Sequence, residues 1–171
     1  QFDFDPSDRR YALELGGGAL LDLGVYPLSF ASMIMGSPSK IEALAHVGET
    51  GVDEQAGIVL GYDRGRVSTL YTSIRVDSPV EAILLGTRGQ IRIQDWWIHP
   101  HRLTLSVSGE EATAIEMPYT GNGYQFEAAD VMACLRAGKL ESDLMPLDET
   151  LSIVETMDAI RARWGLRYPG E

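Results

Sequence analysis

The stretch Leu15-Gly16-Gly17-Gly18-Ala19-Leu20-Leu21-Asp22-Leu23-Gly24-Val25-Tyr26-Pro27-Leu28 decides how this chain is organised. Three glycines run into an apolar segment that carries one carboxylate, Asp22, and one phenol, Tyr26. Between Leu20 and Met35 the apolar positions fit a mostly buried helix; the run is too long for one strand and does not alternate. The glycines start that helix, and Gly36 followed by Pro38 stops it, giving an expected span of about Gly17 to Met35. At i and i+4, Asp22 and Tyr26 share one helix face, with Cβ atoms roughly 5–6 Å apart. Pro27 has no N–H for the carbonyl of Leu23, so an irregularity is expected there. Gly24, in the same turn, lets another backbone or a ligand come close. The pair has two readings. It is a functional carboxylate and phenol, or Asp22 is a first-turn acid favoured by the helix dipole and Tyr26 a core residue with a satisfied hydroxyl.

Beyond the helix the period changes. Lys40–Val47 alternates as a strand, with Ile41, Ala43, Ala45 and Val47 on one side. Residues 54–62 and 66–74 read as a hairpin around Asp63-Arg64-Gly65. Residues 80–85 and 90–94 pair around Gly86-Thr87-Arg88-Gly89, and 103–107 and 112–117 around Ser108-Gly109-Glu110. Six or seven strands joined by short turns make a mostly antiparallel sheet. From Gly123 the period is helical again, to Gly138. A last helix, with Asp148 as expected N-cap, ends at Gly165. The order helix, strands, two helices predicts an α+β fold: a large antiparallel sheet with helices on one face, the other face open or used for oligomerisation. Trp96, Trp97, Ile98 and Tyr71 are either an exposed interface patch on that face or ordinary core.

The 171 residues suit one domain. The formal net charge of −11 argues against nucleic acid and anionic membranes, which call for basic surfaces. No membrane span is expected, because no apolar run near 18 residues is free of polar breaks. The single cysteine, Cys134, leaves no partner for an internal disulfide and fits a reduced, cytoplasmic setting. His99-Pro100-His101 lacks a third convergent ligand, so no metal is expected. No Gly-x-Gly-x-x-Gly opens a βαβ unit, so no cofactor-binding residues are assigned within the chain. Residues 1–12 are polar and read as an incoming linker, and 13–171 as the domain proper. The start at Gln1 rather than Met suggests processing or a piece of a longer protein.

Gly16-Gly17-Gly18-Ala19-Leu20-Leu21-Asp22-Leu23-Gly24-Val25-Tyr26 resembles the GGGxLLDxGxY motif that opens the C-terminal domain of the Gfo/Idh/MocA oxidoreductases, closest to the glucose–fructose oxidoreductase and dimeric dihydrodiol dehydrogenase branch. Many members have His where this chain has Tyr26. Gly86-Thr87-Arg88-Gly89-Gln90-Ile91 is similar to the family's GTxGxI turn, and residues 144–151 and 157–161 to its last helix. The resemblance implies a substrate-binding and oligomerisation domain of an NAD- or NADP-dependent enzyme acting on a sugar, polyol or dihydrodiol. It implies a partner Rossmann domain N-terminal to this one, carrying a lysine in a Glu-Lys-Pro motif, and a homodimer or larger assembly through the open sheet face. By position, Asp22 and Tyr26 become the catalytic and substrate-binding residues. Asp22 would hold substrate hydroxyls; Tyr26 would act as acid/base or hydrogen-bond the reacting oxygen. Whether Tyr26 or the lysine moves the proton stays open. So do the redox-assisted hydrolase branch of the family and a non-catalytic binding or assembly module with the same fold.

Overall fold

The computed structural model describes residues 4–94 and 96–171; the first part of the expected linker, including Asp3, lies outside these. Two compact units make up the chain. One runs up to Asp77 and resumes over Asp143–Glu171; the other is Ser78–Ser142.

In the first unit the organising helix is helical from Ala19 and continues to Met35. It is not uniform. Leu20–Gly24 is a π-helical turn, followed by α1, Val25–Met35. The expected irregularity thus lies one turn ahead of Pro27, the residue that leaves a carbonyl without its N–H. Gly36, at φ 80°, ends α1. By length and composition Leu13–Met35 would pass for a membrane-crossing helix. The fold breaks that stretch with a 3-10 turn, Leu13–Leu15, and with Gly16 and Gly18 at positive φ. It then buries Leu20, Leu28 and Ala31.

The helix packs on a three-stranded antiparallel sheet in the order β1 (Lys40–Val47), β2 (Asp53–Gly61), β3 (Val67–Ser73). Alternation along β2 sends Ala56, Ile58 and Leu60 into the core, where they meet Leu20 and Leu28. Helix α3, Leu147–Ala162, adds Ile153, Met157 and Ile160 to the same cluster. Ile41, Ala43 and Ala45 pack against it from β1, as their alternation predicts. Val47 does not follow: the register slips between His46 and Val47, and Val47 is exposed. The opposite face of the sheet is open. Leu44, Gly57 and Tyr71 stand side by side there in register, and Leu44 is 83% exposed.

Two local expectations are corrected. Asp148 is not the N-cap of α3. Pro146 holds that position in extended conformation, and among the described residues no side chain caps the helix. Asp148 lies in the first turn, where its charge still suits the helix dipole. Residues 4–12 are more than a linker. Tyr11 is fully buried, packed with Ala19 and Ile74.

The second unit holds a separate four-stranded antiparallel sheet: β4 (Ala82–Gly86), β5 (Gly89–Ile93), β6 (Arg102–Val107) and β7 (Thr113–Glu116). Among the described residues the seven strands thus form two antiparallel sheets, and with the helices they make an α+β fold. Glycine at 89 is required, because a Cβ there would lie 2.1 Å from the Ser106 carbonyl oxygen. Helix α2 is Tyr124–Arg136. Trp96, Trp97 and Ile98 sit in the loop after β5, whereas Tyr71 is on β3 in the first unit; Trp96 is 62% exposed.

Candidate active site

The glycines ahead of the helix are there for close approach. A Cβ on Gly17 would stand 2.7–2.9 Å from the carbonyl oxygens of Arg10, Arg9 and Ala12. One on Gly18, at φ 119°, would lie 2.3 Å from Asp53 Oδ1. The chain here is threaded between its own incoming segment and the start of β2. Three side chains from distant elements then hold its backbone. Asp53 Oδ2 accepts the N–H of Leu20 at 2.7 Å. The Thr72 hydroxyl donates to the Ala19 carbonyl at 3.0 Å. The Tyr168 hydroxyl donates to the Gly17 carbonyl at 2.8 Å. Gly24 keeps the next turn close to β3, since a Cβ there would touch Thr72 Cγ2 at 3.5 Å and Leu20 Cδ1 at 3.1 Å.

Asp22 lies within this π-turn and Tyr26 just beyond it, four residues on along the same continuous helix. Both reach the surface. The Asp22 side chain is 18% exposed and its Oδ1 accepts from Arg9 Nη2 at 2.9 Å. Tyr26 is 45% exposed. Neither is a core residue, which removes the buried-tyrosine reading. Arg9 itself is largely in solvent, so the pair holds Asp22 in place without sealing it.

Sequence reasoning missed Asp53, a fully buried carboxylic acid. Burial pushes its pKa up to about 6, against the opposing pull of the backbone N–H groups of Leu20, Asp53 and Ala19. Its Oδ1 meets no hydrogen-bond partner among the described residues. The same burial, reinforced by the Asp53 charge, pushes the Tyr168 phenol up to about 12. Val52-Asp53-Glu54 at the head of a strand was the available signal: acidic residues have poor strand propensity and need another reason to be there. Glu54 has one too. It is buried and bound by Arg75 at 3.0 Å, and Arg75 lies over the Phe4 ring, which meets Tyr11 edge-on. That chain of contacts fastens the incoming segment that supplies Arg9.

Among the described residues no three His, Cys, Asp or Glu side chains converge as a metal site. His101 stacks on Tyr119 with ring centroids 4.3 Å apart.

Comparison with known proteins agrees with this architecture. The chain is 35% identical over 178 residues to trans-1,2-dihydrobenzene-1,2-diol dehydrogenase of Mus musculus, covering 98% of this chain and 52% of that protein. It is 33% identical over 161 residues to the Homo sapiens protein of the same name, covering 90% and 48%. The chain thus spans about half the length of these relatives. Among solved structures it resembles aldose-aldose oxidoreductase from Caulobacter crescentus, crystallised with glycerol (TM-score 0.80, 21% identity, 95% of this chain and 51% of that one). It also resembles KijD10, a 3-ketoreductase from Actinomadura kijaniata crystallised with NADP and TDP-benzene (TM-score 0.75, 22% identity, 92% and 50%). The profile of the GFO/IDH/MocA C-terminal domain matches residues 1–92, and the chain belongs to that family.

Proposed function

We propose that this chain is the substrate-binding and oligomerisation domain of an NAD(P)-dependent oxidoreductase that acts on a sugar, polyol or dihydrodiol by hydride transfer. The observation that carries the reading is that Asp22 and Tyr26, four residues apart, both reach the surface on a helix whose backbone is held from three sides. Its relatives are named as diol dehydrogenases, and one fold neighbour was crystallised with NADP. Nucleotide binding falls to a Rossmann domain preceding this one, and the cofactor, when bound, exchanges the hydride.

What this chain contributes is the proton and the grip on the substrate. Tyr26 presents a phenol that hydrogen-bonds the reacting oxygen and exchanges its proton, beside a cation carried by the partner domain. The Asp22 carboxylate has one bond to Arg9 and accepts substrate hydroxyls at its remaining lone pairs. A vicinal diol or sugar has the adjacent hydroxyls that such a pair reads together. The exposed apolar row of Leu44, Val59 and Tyr71 on the open sheet face supports assembly with a second copy. A location in the cytoplasm belongs to the same proposal.

The test is turnover by the enzyme that carries this chain, assayed with NAD and NADP against a panel of aldoses, polyols and trans-dihydrodiols. The expected result is nicotinamide reduction with at least one of these classes, and none from residues 1–171 alone. No turnover with any class, together with unchanged self-association, would instead favour the assembly-module reading.

A further inference from the structure

We propose that Asp53 is a positioning residue for the reaction, fixing the π-turn that carries Asp22. The inference rests on the reading of Asp22 and Tyr26 given above.

A π-turn bonds i to i+5 and is less regular than the α-helix around it; Pro27 frees a carbonyl that permits the irregularity, and contacts from outside the helix fix where it starts. Here the specification comes at its first residue. Leu20 is the start of the turn, and its N–H is taken by Asp53 Oδ2 at 2.7 Å. An N–H at a helix start has no carbonyl within its own helix, so an outside acceptor fixes it without competing with the helix. The other carboxylate oxygen is wedged against Gly18, with no room for a Cβ between them. The glycine and the acid therefore fit as a pair: a side chain at 18 would run into the carboxylate. Thr72 holds the carbonyl of Ala19, one residue earlier. With residues 18, 19 and 20 held in this way, the rotational phase of the next turn is set, and with it the direction of Asp22 two residues on.

A buried carboxylate is costly, and a structural cap needs no such cost. Exposed Ser, Thr or Asn caps do the same for other helices. Burial makes sense where the position must be rigid. An anchor packed on a strand inside the core transmits the strand's rigidity to the helix, and a displacement of about 1 Å at reacting groups can cost on the order of 100-fold in rate.

Three measurements on the enzyme carrying this chain test the proposal. Asp53→Ala removes the acceptor; Asp53→Asn keeps an oxygen for the Leu20 N–H. We expect Asp53→Ala to speed hydrogen exchange of the amides over residues 18–26 about tenfold or more, with β2, β3 and α3 unchanged. We expect kcat to fall about 10- to 100-fold while KM for the nicotinamide stays within about twofold. Asp53→Asn should restore kcat to within about threefold of the native enzyme. If Asp53→Ala does not fold, Asp53→Cys takes its place, close to the acid in volume and a poor acceptor. Unchanged exchange over 18–26, or faster exchange with native kcat, overturns the proposal. Tyr26→Phe, measured alongside, separates the two claims. Native turnover in that variant sinks the reading of the site and the catalytic half of this proposal, while the exchange data still decide whether Asp53 anchors the helix.

Discussion

The carboxylate of Asp53 accepts the backbone N–H of Leu20 at 2.7 Å across 33 residues of sequence. That bond joins the head of a strand to the first residue of a π-turn, and the role proposed for Asp53 rests on it. The strand supplies rigidity from the core of Ala56, Ile58 and Leu60. The turn converts it into a fixed presentation of Asp22 and Tyr26.

The steric partner of Asp53 gives the first prediction. Gly18→Ala places a Cβ 2.3 Å from Asp53 Oδ1 and forces an alanine to φ 119°. Overpacking and backbone strain together should cost about 2–4 kcal/mol. Gly36→Ala, at φ 80° and ψ −163°, also forces a conformation glycine favours, but it meets nothing within 4 Å and should cost the strain alone, about 1–3 kcal/mol. Denaturant melts of the two variants check the ordering. Equal losses would mean that the contact with Asp53 carries no weight.

The acid also makes stability depend on pH. Its folded value, about 6, lies above the ordinary 3.8. Between these two values the folded chain binds a proton that the unfolded chain has released, so stability falls as pH rises from about 4 to 6. At about 1.4 kcal/mol for each pH unit between the two values, the loss from this group approaches 3 kcal/mol. Asp53→Asn does not titrate, and the difference between its unfolding free energy and that of the native chain should move in the native chain's disfavour across that window. A constant difference from pH 4 to 7 would show that Asp53 is not the titrating group.

The open sheet face predicts a separation of folding from assembly. Leu44 is 83% exposed, so Leu44→Glu should change folding stability by no more than about 0.5 kcal/mol. A charge at the centre of an apolar interface should nevertheless weaken self-association by at least about tenfold. Sedimentation equilibrium beside a thermal melt reads both. An unaltered association constant would remove this face from the assembly.

Much of this was legible in the sequence. Period alone separated helix from strands, and the turns at Asp63-Arg64-Gly65 and Gly86–Gly89 fell where glycine and polar residues marked them. Arg64 and Gly65 both take positive φ in the first of these. Gly36 ended the helix as its position announced. What could not be read locally was set by distant contacts. The π-turn is held by Asp53 and Thr72, 33 and 53 residues from the backbone groups they bind. Tyr11 sits in a polar stretch and is buried because Ala19, Ile74 and Phe4 pack against it. The division of seven strands into two sheets depends on which strands pair, and alternation within a strand is silent about that. The α3 cap was misplaced because a good capping residue, Asp148, stood two positions past a proline that had already taken the place.

The central claim is that Tyr26 and Asp22 act together on a bound hydroxyl. Single-turnover hydride transfer by the enzyme carrying this chain tests it most directly, comparing the native protein with Tyr26→Phe and Asp22→Asn. Removing the phenolic hydroxyl should slow the transfer step by about 10²- to 10⁴-fold with substrate affinity little changed. Neutralising Asp22 should weaken substrate binding about 10- to 100-fold through loss of charge-assisted hydrogen bonds. Native transfer rates and native affinity in both variants would contradict the account.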